Sequence, residues 1–192
     1  LHLDILSWKK GSMQALQQGK MDFGISALDF YDGQRLDTRK LPDDVKHAVL
    51  FHDHQTCLVR EDHPILSAVE EGNWDMQCYL QQKHIQIVCE GNKWWALDYF
   101  LQKQNKQRNV IATLPDFYGG ASLCAHSDLI FTLPSSFIGH AQKLYPLKEI
   151  PLPFDFDAMA YVLIWHQRNN DELGHQWVRQ MIIQKRQIHL RI

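Results

Sequence analysis

The stretch QALQQGKMDFGISAL, residues 14–28, decides the fold prediction. A helix-like run ends at Gly19, where a left-handed backbone costs glycine little, and residues 21–27 then form a mostly apolar strand pattern. Before this stretch, LHLDIL (residues 1–6) alternates apolar and polar side chains and predicts a strand, and Ser12 is placed to cap a helix that begins at Met13. Strand, helix, strand is the βαβ unit, which predicts a parallel sheet with a right-handed crossover.

The alternation of strand and helix patterns continues along the chain. Strand patterns occur at 47–61 (one strand or two), 84–89, 109–115, 127–134 and 158–166, and helix patterns at 91–106, 118–125, 135–145 and 171–183. This alternation predicts an α/β fold with parallel sheets. Ligands of such sheets bind beyond the carboxyl ends of strands, near helix N-termini. The candidate ligand-binding segments are therefore the strand ends at 26–28, 90–92, 114–117 and 132–136.

Composition and charge narrow the class of protein. Of the 192 residues, 45% are hydrophobic and 22% charged, which is typical of a globular chain. The net charge of −2 and the pI near 6.6 give no electrostatic argument for nucleic-acid binding by this chain alone. No apolar run approaches the ~18 residues of a membrane span, and the first residues do not form a signal-peptide pattern. We therefore expect no membrane segment and no secretion signal.

The four cysteines, Cys57, Cys78, Cys89 and Cys124, include no CxxC pair. Cys57 and Cys89 fall within apolar strand patterns, where a free thiol behaves as a small hydrophobic side chain. This usage favours free thiols and a reducing cytoplasm, and a single disulfide remains the alternative.

Several short motifs follow one another in a characteristic order and spacing. They are Leu16/Gly19/Asp22/Ile25, Val59/His63/Pro64/Ile65, Ser127/Asp128/Leu129/Ile130/Pro134, Trp165/His166/Arg168 and His175/Trp177. Each is short and mostly structural, but together they cover nearly the whole chain. In this order they resemble the C-terminal effector-binding domain of LysR-type transcriptional regulators.

The resemblance implies a fold like that of type 2 periplasmic binding proteins. Two Rossmann-like α/β lobes are joined by two crossover strands, and a small-molecule effector binds in the cleft between them. The implied lobes are residues 1–69 plus 158–192, and residues 70–157. The family's helix-turn-helix and linker helix are absent from these 192 residues, as are one strand and one helix that normally precede LHLDIL.

The resemblance also places the effector-binding residues at strand ends. Gly91, Asn92 and Lys93 would open the first helix of the second lobe, where backbone N–H groups suit an anionic ligand. The complete set is Ser26, Ala27, Gly91, Asn92, Lys93, Asp116, Phe117, Thr132 and Pro134. The structural alternative is that Gly91 and Asn92 only cap a helix and that Phe117 belongs to the core.

Two further clusters have competing interpretations. Trp94 and Trp95 on a helix would point about 100° apart, so one could stack on an effector, but one core and one interface tryptophan is the favoured interpretation. His52 and His54 share a strand face, which makes a zinc site conceivable. Cys57 falls on the other face and no second cluster exists, so we expect no metal and no cofactor.

The chain contains no catalytic motif, and we expect no enzymatic activity. The resemblance implies that His166 is structural and bonds a carbonyl or carboxylate, and that Arg168 pairs with Asp171 or Glu172. It also implies that Trp165 packs under the last helix and that Trp177 contacts the core. It implies an effector-sensing domain that forms a homodimer or tetramer in the cytoplasm and contacts DNA only through the absent helix-turn-helix. The alternatives are a solute-binding protein of a transport system and an enzyme on the same fold.

Overall fold

The computed structural model describes residues 2–31, 35–88 and 94–189, and the chain forms two compact units. The first unit comprises residues 1–52 and 158–192, and the second comprises residues 53–157. The sequence placed residues 53–69 in the first lobe. They belong to the second unit because strand β4 (Gln55–Arg60) hydrogen-bonds to second-unit strands on both of its sides.

The elements of the first unit are α1 (Ser12–Gln17), β1 (Gly24–Tyr31), β2 (Arg35–Leu36), β3 (Val45–Asp53), β9 (Met159–His166) and α7 (Leu173–His189). Its strands form a four-stranded sheet in the order β2-β1-β9-β3. β1 runs antiparallel to both β2 and β9, with Gly24 opposite Ile164. The chain therefore completes this sheet with a strand from its last quarter.

Strand β9 is apolar on both faces, and both faces are buried. Val162 and Ile164 pack with Leu16 of α1 in one hydrophobic cluster. Leu163 and Trp165 pack in a second cluster, which includes Ile182 of α7. A strand covered on both sides needs a continuous apolar run, which the sequence AMAYVLIWH supplies.

The first residues do not form the expected strand. Residues 2–9 have no helix or strand, and Leu3, Ile5 and Leu6 are 59%, 87% and 68% exposed. An alternating pattern predicts which face a strand would bury, but a strand also needs a neighbouring backbone to bond with, and no described strand pairs with this segment. The parallel βαβ unit predicted over residues 1–27 is therefore wrong.

The turn after α1 follows the prediction in part. Gly19 has a φ of +73°, the left-handed conformation expected for it. The helix begins one residue earlier than predicted, with Gly11 at its N-cap. Ser12 does not cap it, since its hydroxyl accepts a hydrogen bond from the Lys9 N–H instead.

In the second unit β4 is followed by α2 (Ile65–Glu70), α3 (Met76–Gln81), β5 (Lys83–Ile87), α4 (Ala96–Gln102), β6 (Asn109–Leu114), α5 (Phe117–Ala125), β7 (Ile130–Pro134), α6 (Ile138–Leu144) and β8 (Leu147–Pro151). Its strands form a five-stranded sheet in the order β6-β5-β7-β4-β8. β5 runs parallel to β6 and β7, whereas β4 runs antiparallel to β7 and β8. The sheet is mixed, because β4 enters against the direction of its neighbours, and the expectation of purely parallel sheets is wrong.

Each face of this second sheet carries its own hydrophobic cluster. Leu58, Ile85 and Phe131 pack under α5 and α6 on one face. Cys57, Val59 and Ile130 pack on the other face, against Ile65 of α2 and Tyr79 of α3. Consecutive residues of β4 thus point to opposite clusters, which explains why the whole of QTCLV is buried.

Candidate ligand-binding site

Ser26 and Ala27 lie on β1 in the first unit. They stand opposite Val162 and Tyr161 of β9, and Ser26 is half-buried while Ala27 is exposed. They are consecutive residues of the β1–β9 ladder, so their side chains point to opposite faces of the sheet.

Thr132 of β7 is engaged inside the second unit. It is 1% exposed, and its hydroxyl lies 2.8 Å from the Tyr79 hydroxyl and 3.6 Å from Sγ of Cys57. Burial raises the pKa of the Cys57 thiol to about 12, so the sulfur stays a neutral thiol. The Thr132 hydroxyl therefore belongs to a buried polar group rather than to an open surface.

The end of β7 is held by a carboxylate that the sequence analysis did not single out. Asp53 is 5% exposed and accepts hydrogen bonds from the Ser135 hydroxyl (2.6 Å), the His54 N–H (2.8 Å) and the Ser136 N–H (3.3 Å). Pro134 stands opposite Gln55 of β4 immediately before this turn. The two backbone donors that follow Pro134 are thus occupied within the chain, the Ser136 N–H by Asp53 and the Ser135 N–H by the His54 carbonyl at 2.9 Å.

Asp116 and Phe117 have structural contacts at the start of α5. Asp116 caps that helix, since its carboxylate accepts a hydrogen bond from the Gly119 N–H at 2.8 Å. The half-buried Phe117 ring packs against the rings of Phe131 and Phe137, with centroids 6.2 and 5.5 Å away. Gly91, Asn92 and Lys93 lie outside the described residues.

The two adjacent tryptophans precede α4 rather than standing on it. Trp95 is the N-cap residue, and its indole N–H donates to the Ile87 carbonyl at 3.0 Å, while Trp94 is 45% exposed beside Tyr99. The geometric argument from a helix is therefore wrong, although one of the pair does pack on the core.

A buried ion pair lies between β6 and α4. Arg108 directly precedes β6, and its guanidinium donates to the Asp98 carboxylate and to the Gln86 side-chain oxygen. Asp98 also accepts from the Trp95 N–H at 2.9 Å, which fixes the start of α4. Nothing in the local pattern around Arg108 distinguishes it from a surface residue.

A cavity of about 410 Å³ lies wholly within the second unit, at the end of the sheet where β4 begins and β8 ends. Its lining comes from those two strands and from the segment after β8. The lining residues are His54, Gln55, Thr56, Glu149, Pro151, Leu152, Phe154, Asp155 and Phe156. A pocket of this size accommodates a small organic molecule. Sequence reasoning missed it, although a polar pair, His54-Gln55, interrupting an apolar strand run was a visible signal.

The histidines and cysteines form no metal centre in the part of the chain that the structure describes, where no three potential ligands converge. His52 packs edge-on against Phe30, and Cys57 is buried in the core. Cys57, Cys78 and Cys124 are free thiols, and Cys89 lies outside the described residues.

The WHxR motif is structural, as predicted, and His166 bonds a carboxylate as expected, but the partner of Arg168 differs. His166 accepts from the Arg168 side chain at Nδ1 and donates from Nε2 to Asp44 at 3.1 Å. Hydrogen bonds from Gln17 and from His166 lower the pKa of the Asp44 carboxyl. Arg168 also reaches the Gln17 carbonyl, so its expected pairing with Asp171 or Glu172 is wrong.

The two tryptophans of the last motifs also differ in their placement. Trp165 packs in the cluster under α7, as expected, with the Arg179 guanidinium 4.6 Å from its ring centroid. Trp177 is 58% exposed, so its expected core contact is wrong.

Sequence comparison defines the class of protein. The sequence model described as the LysR substrate binding domain matches residues 2–187. The chain therefore belongs to this family. It is 32% identical over 189 residues to the HTH-type transcriptional regulator YidZ of Salmonella newport (strain SL254), covering 94% of this chain and 58% of that protein. This chain thus spans little more than half of that relative's length.

Solved structures show the same fold. The regulatory domain of MexT, a transcriptional activator in Pseudomonas aeruginosa, matches with a TM-score of 0.71 at 21% identity, over 93% of this chain and 79% of that one. The effector-binding domain of QuiR in complex with shikimate matches with a TM-score of 0.67 at 14% identity, over 94% and 78%. The fold is therefore the type 2 periplasmic-binding-protein-like α/β fold of LysR effector-binding domains. In the described residues no helix is long and apolar enough to cross a bilayer.

Proposed function

We propose that this chain is the effector-sensing domain of a LysR-type transcriptional regulator. The family match over residues 2–187 carries the proposal, and the relatives of which the chain spans 58% are named HTH-type regulators. The same match favours a regulator over a transport solute-binding protein. The domain has no catalytic role, acts in the cytoplasm without a membrane, and needs no cofactor.

The proposed ligand is a small-molecule effector. Two effector-binding domains of this fold are described with bound small molecules, that of QuiR in complex with shikimate and that of BenM with its effector benzoate. The residues proposed to contact the effector are those assigned by resemblance: Ser26, Ala27, Gly91, Asn92, Lys93, Asp116, Phe117, Thr132 and Pro134. The Thr132 hydroxyl could contact an effector only by giving up its hydrogen bond with the Tyr79 hydroxyl. Ala27 is exposed, so a substitution at Ala27 gives the clearer test of effector binding.

The proposed mechanism is a shift between two populated arrangements of the regulator. An effector acts only if it binds one arrangement better than the other, and coupling of ~1–3 kcal/mol would change operator affinity about 5–150-fold. The proposed assembly is a homodimer or tetramer through this domain, with the helix faces at 12–18 and 135–145 as contact candidates. DNA contact would come from an N-terminal helix-turn-helix outside these residues.

Native mass spectrometry of the purified chain tests the proposal by revealing a co-purified small molecule, and a thermal-shift series with shikimate, benzoate and related compounds extends it. We expect a ligand that raises the melting temperature of this chain and changes the operator affinity of the full-length protein. Ala27→Phe should weaken the binding of that ligand, whereas Thr113→Phe, at an exposed position on β6, should leave its binding unchanged. A stabilising ligand that leaves operator affinity unchanged would contradict the regulatory role.

A further inference from the structure

The polar lining of the cavity of the second unit is rich in hydrogen-bond acceptors. Glu149 and Asp155 contribute carboxylates, are exposed, and form no salt bridge within the described ranges. The Thr56 hydroxyl has already donated its hydrogen to the Ile150 carbonyl, at 3.0 Å. The lining residues include no lysine and no arginine.

Gln55 contributes an acceptor with no partner. This residue is 7% exposed and borders the cavity, and its amide oxygen Oε1 is buried without a hydrogen-bond donor from the described residues. An unpaired buried acceptor costs about 1–3 kcal/mol, so a donor supplied by a ligand would recover that free energy.

His54 presents a further acceptor. The Ser135 hydroxyl donates its single hydrogen to Asp53 at 2.6 Å, so in its 3.3 Å contact with Nδ1 of His54 the hydroxyl must accept. Nδ1 therefore carries the proton in neutral His54, and Nε2 is left as an acceptor.

The apolar walls are aromatic and held in place. Phe154 and Phe156 both border the cavity, and both rings contact Phe100 of α4, at centroid distances of 5.9 and 5.3 Å. The Trp74 indole N–H donates to the Pro151 carbonyl at 2.8 Å, which anchors the start of this segment. Aromatic faces beside carboxylates attract a cation through the ring quadrupole.

We propose that this cavity binds a small organic amine, a ligand with a protonated nitrogen attached to an apolar body. The nitrogen would donate to Glu149, Asp155 and the Gln55 amide oxygen, and the body would pack on Phe154 and Phe156. A carboxylate ligand would meet two like charges and no cationic side chain. The cavity shares no residue with the set assigned to effector binding, so this site stands apart from the proposed function.

Isothermal titration of the chain with three compounds of one shape tests the proposal: 2-phenylethylamine, 2-phenylethanol and phenylacetate. We expect the amine to bind about tenfold or more tightly than the alcohol, the equivalent of one charge-assisted hydrogen bond, and phenylacetate not to bind at this site. Equal binding of amine and alcohol, or no binding of the amine at millimolar concentration, would overturn the proposal.

Matched variants locate the site. Asp155→Asn and Glu149→Gln change exposed carboxylates of the lining. Each should lower the affinity for the amine several-fold without altering the melting temperature of the chain. Glu70→Gln changes an exposed carboxylate on α2 and should leave the amine affinity unchanged. Equal losses in all three variants would indicate non-specific attraction and overturn the assignment. A phenylacetate signal that survives Asp155→Asn would belong to the effector site.

Discussion

The Nη2 atom of Arg108 lies 2.6 Å from Oδ1 of Asp98, and the Arg108 side chain is fully buried. Burial by itself lowers the pKa of Arg108, but Tyr79 and Asp98 outweigh it and the net shift is upward, so the guanidinium stays charged. This pair fastens the start of β6 to the first turn of α4, where Asp98 also accepts from Trp95.

Arg108→Met should destabilise the chain by about 3–5 kcal/mol, because it leaves the Asp98 carboxylate largely buried without its cation. Urea unfolding followed by circular dichroism measures the change. Lys40→Met removes a pair with Asp29 in which the lysine is 61% exposed, and should cost no more than about 1 kcal/mol. Similar costs for both variants would show that the buried pair is not special.

Gly120→Ala should destabilise the second unit by about 1–3 kcal/mol, because the added methyl group overpacks the core. A Cβ at Gly120 would lie 2.6 Å from Cζ of Phe131 and 3.0 Å from Cδ1 of Ile87. Gly139→Ala on α6 is the matched control, since nothing lies within 4 Å of its Cβ position, and it should stabilise by up to about 1 kcal/mol. Thermal unfolding of both variants gives the sign of each change in stability. A Gly120→Ala variant as stable as the unsubstituted chain would contradict the close packing around Gly120.

Gly19→Ala should cost about 1–2 kcal/mol, because an alanine at a φ of +73° is strained. Gly72→Ala has the same φ with open space around its Cβ, so it measures the backbone strain alone. At Gly19 the new methyl group also lies 3.3 Å from Nη1 of Arg168. We expect the Gly19 variant to be the less stable of the two in chemical denaturation, and the reverse order would argue against the Arg168 contact.

His84 makes the fold sensitive to acid. Burial, aided by the charge of Arg108, lowers the pKa of His84 to about 3, whereas an unfolded histidine titrates near ~6.5. The unfolded state therefore binds the proton first, and stability present above about pH 6.5 is lost as the pH falls toward 3, by up to about 1.4 kcal/mol per pH unit.

His84→Phe should flatten this dependence, because it removes the group that only the unfolded chain protonates. A phenyl ring can take the place of the imidazole, which lies tilted against the Tyr79 ring with the centroids 4.5 Å apart. The Tyr79 carbonyl loses its hydrogen bond from His84 but still accepts from the Gln82 N–H. Unfolding free energies at pH 7, 6, 5 and 4 give the slope. His140→Phe, at an exposed position on α6, should retain the slope of the unsubstituted chain, and an unchanged slope in His84→Phe would contradict the assignment.

The candidate sites were predictable only in part. The ends of β6 at Leu114 and of β7 at Pro134 are located by apolar runs that stop at a proline, a signal within the sequence itself. The Asp53 carboxylate bonds Ser135, 82 residues away, and the Arg108 guanidinium bonds Asp98 and Gln86, 10 and 22 residues away. The Gln55 oxygen is left unpaired by the tertiary packing. No local pattern in the sequence contains these relationships.

The sequence by itself determined which segments are strands and helices over most of the chain, where Gly19 turns, and, through the order of short motifs, the family. These properties rest on periodicity and backbone preference, which act between near neighbours. Only the tertiary structure decided that residues 2–9 form no strand, that both sheets contain antiparallel pairs, and that β4 belongs to the second unit. Hydrogen bonding between distant backbones sets those outcomes, because a segment becomes a strand only beside a partner.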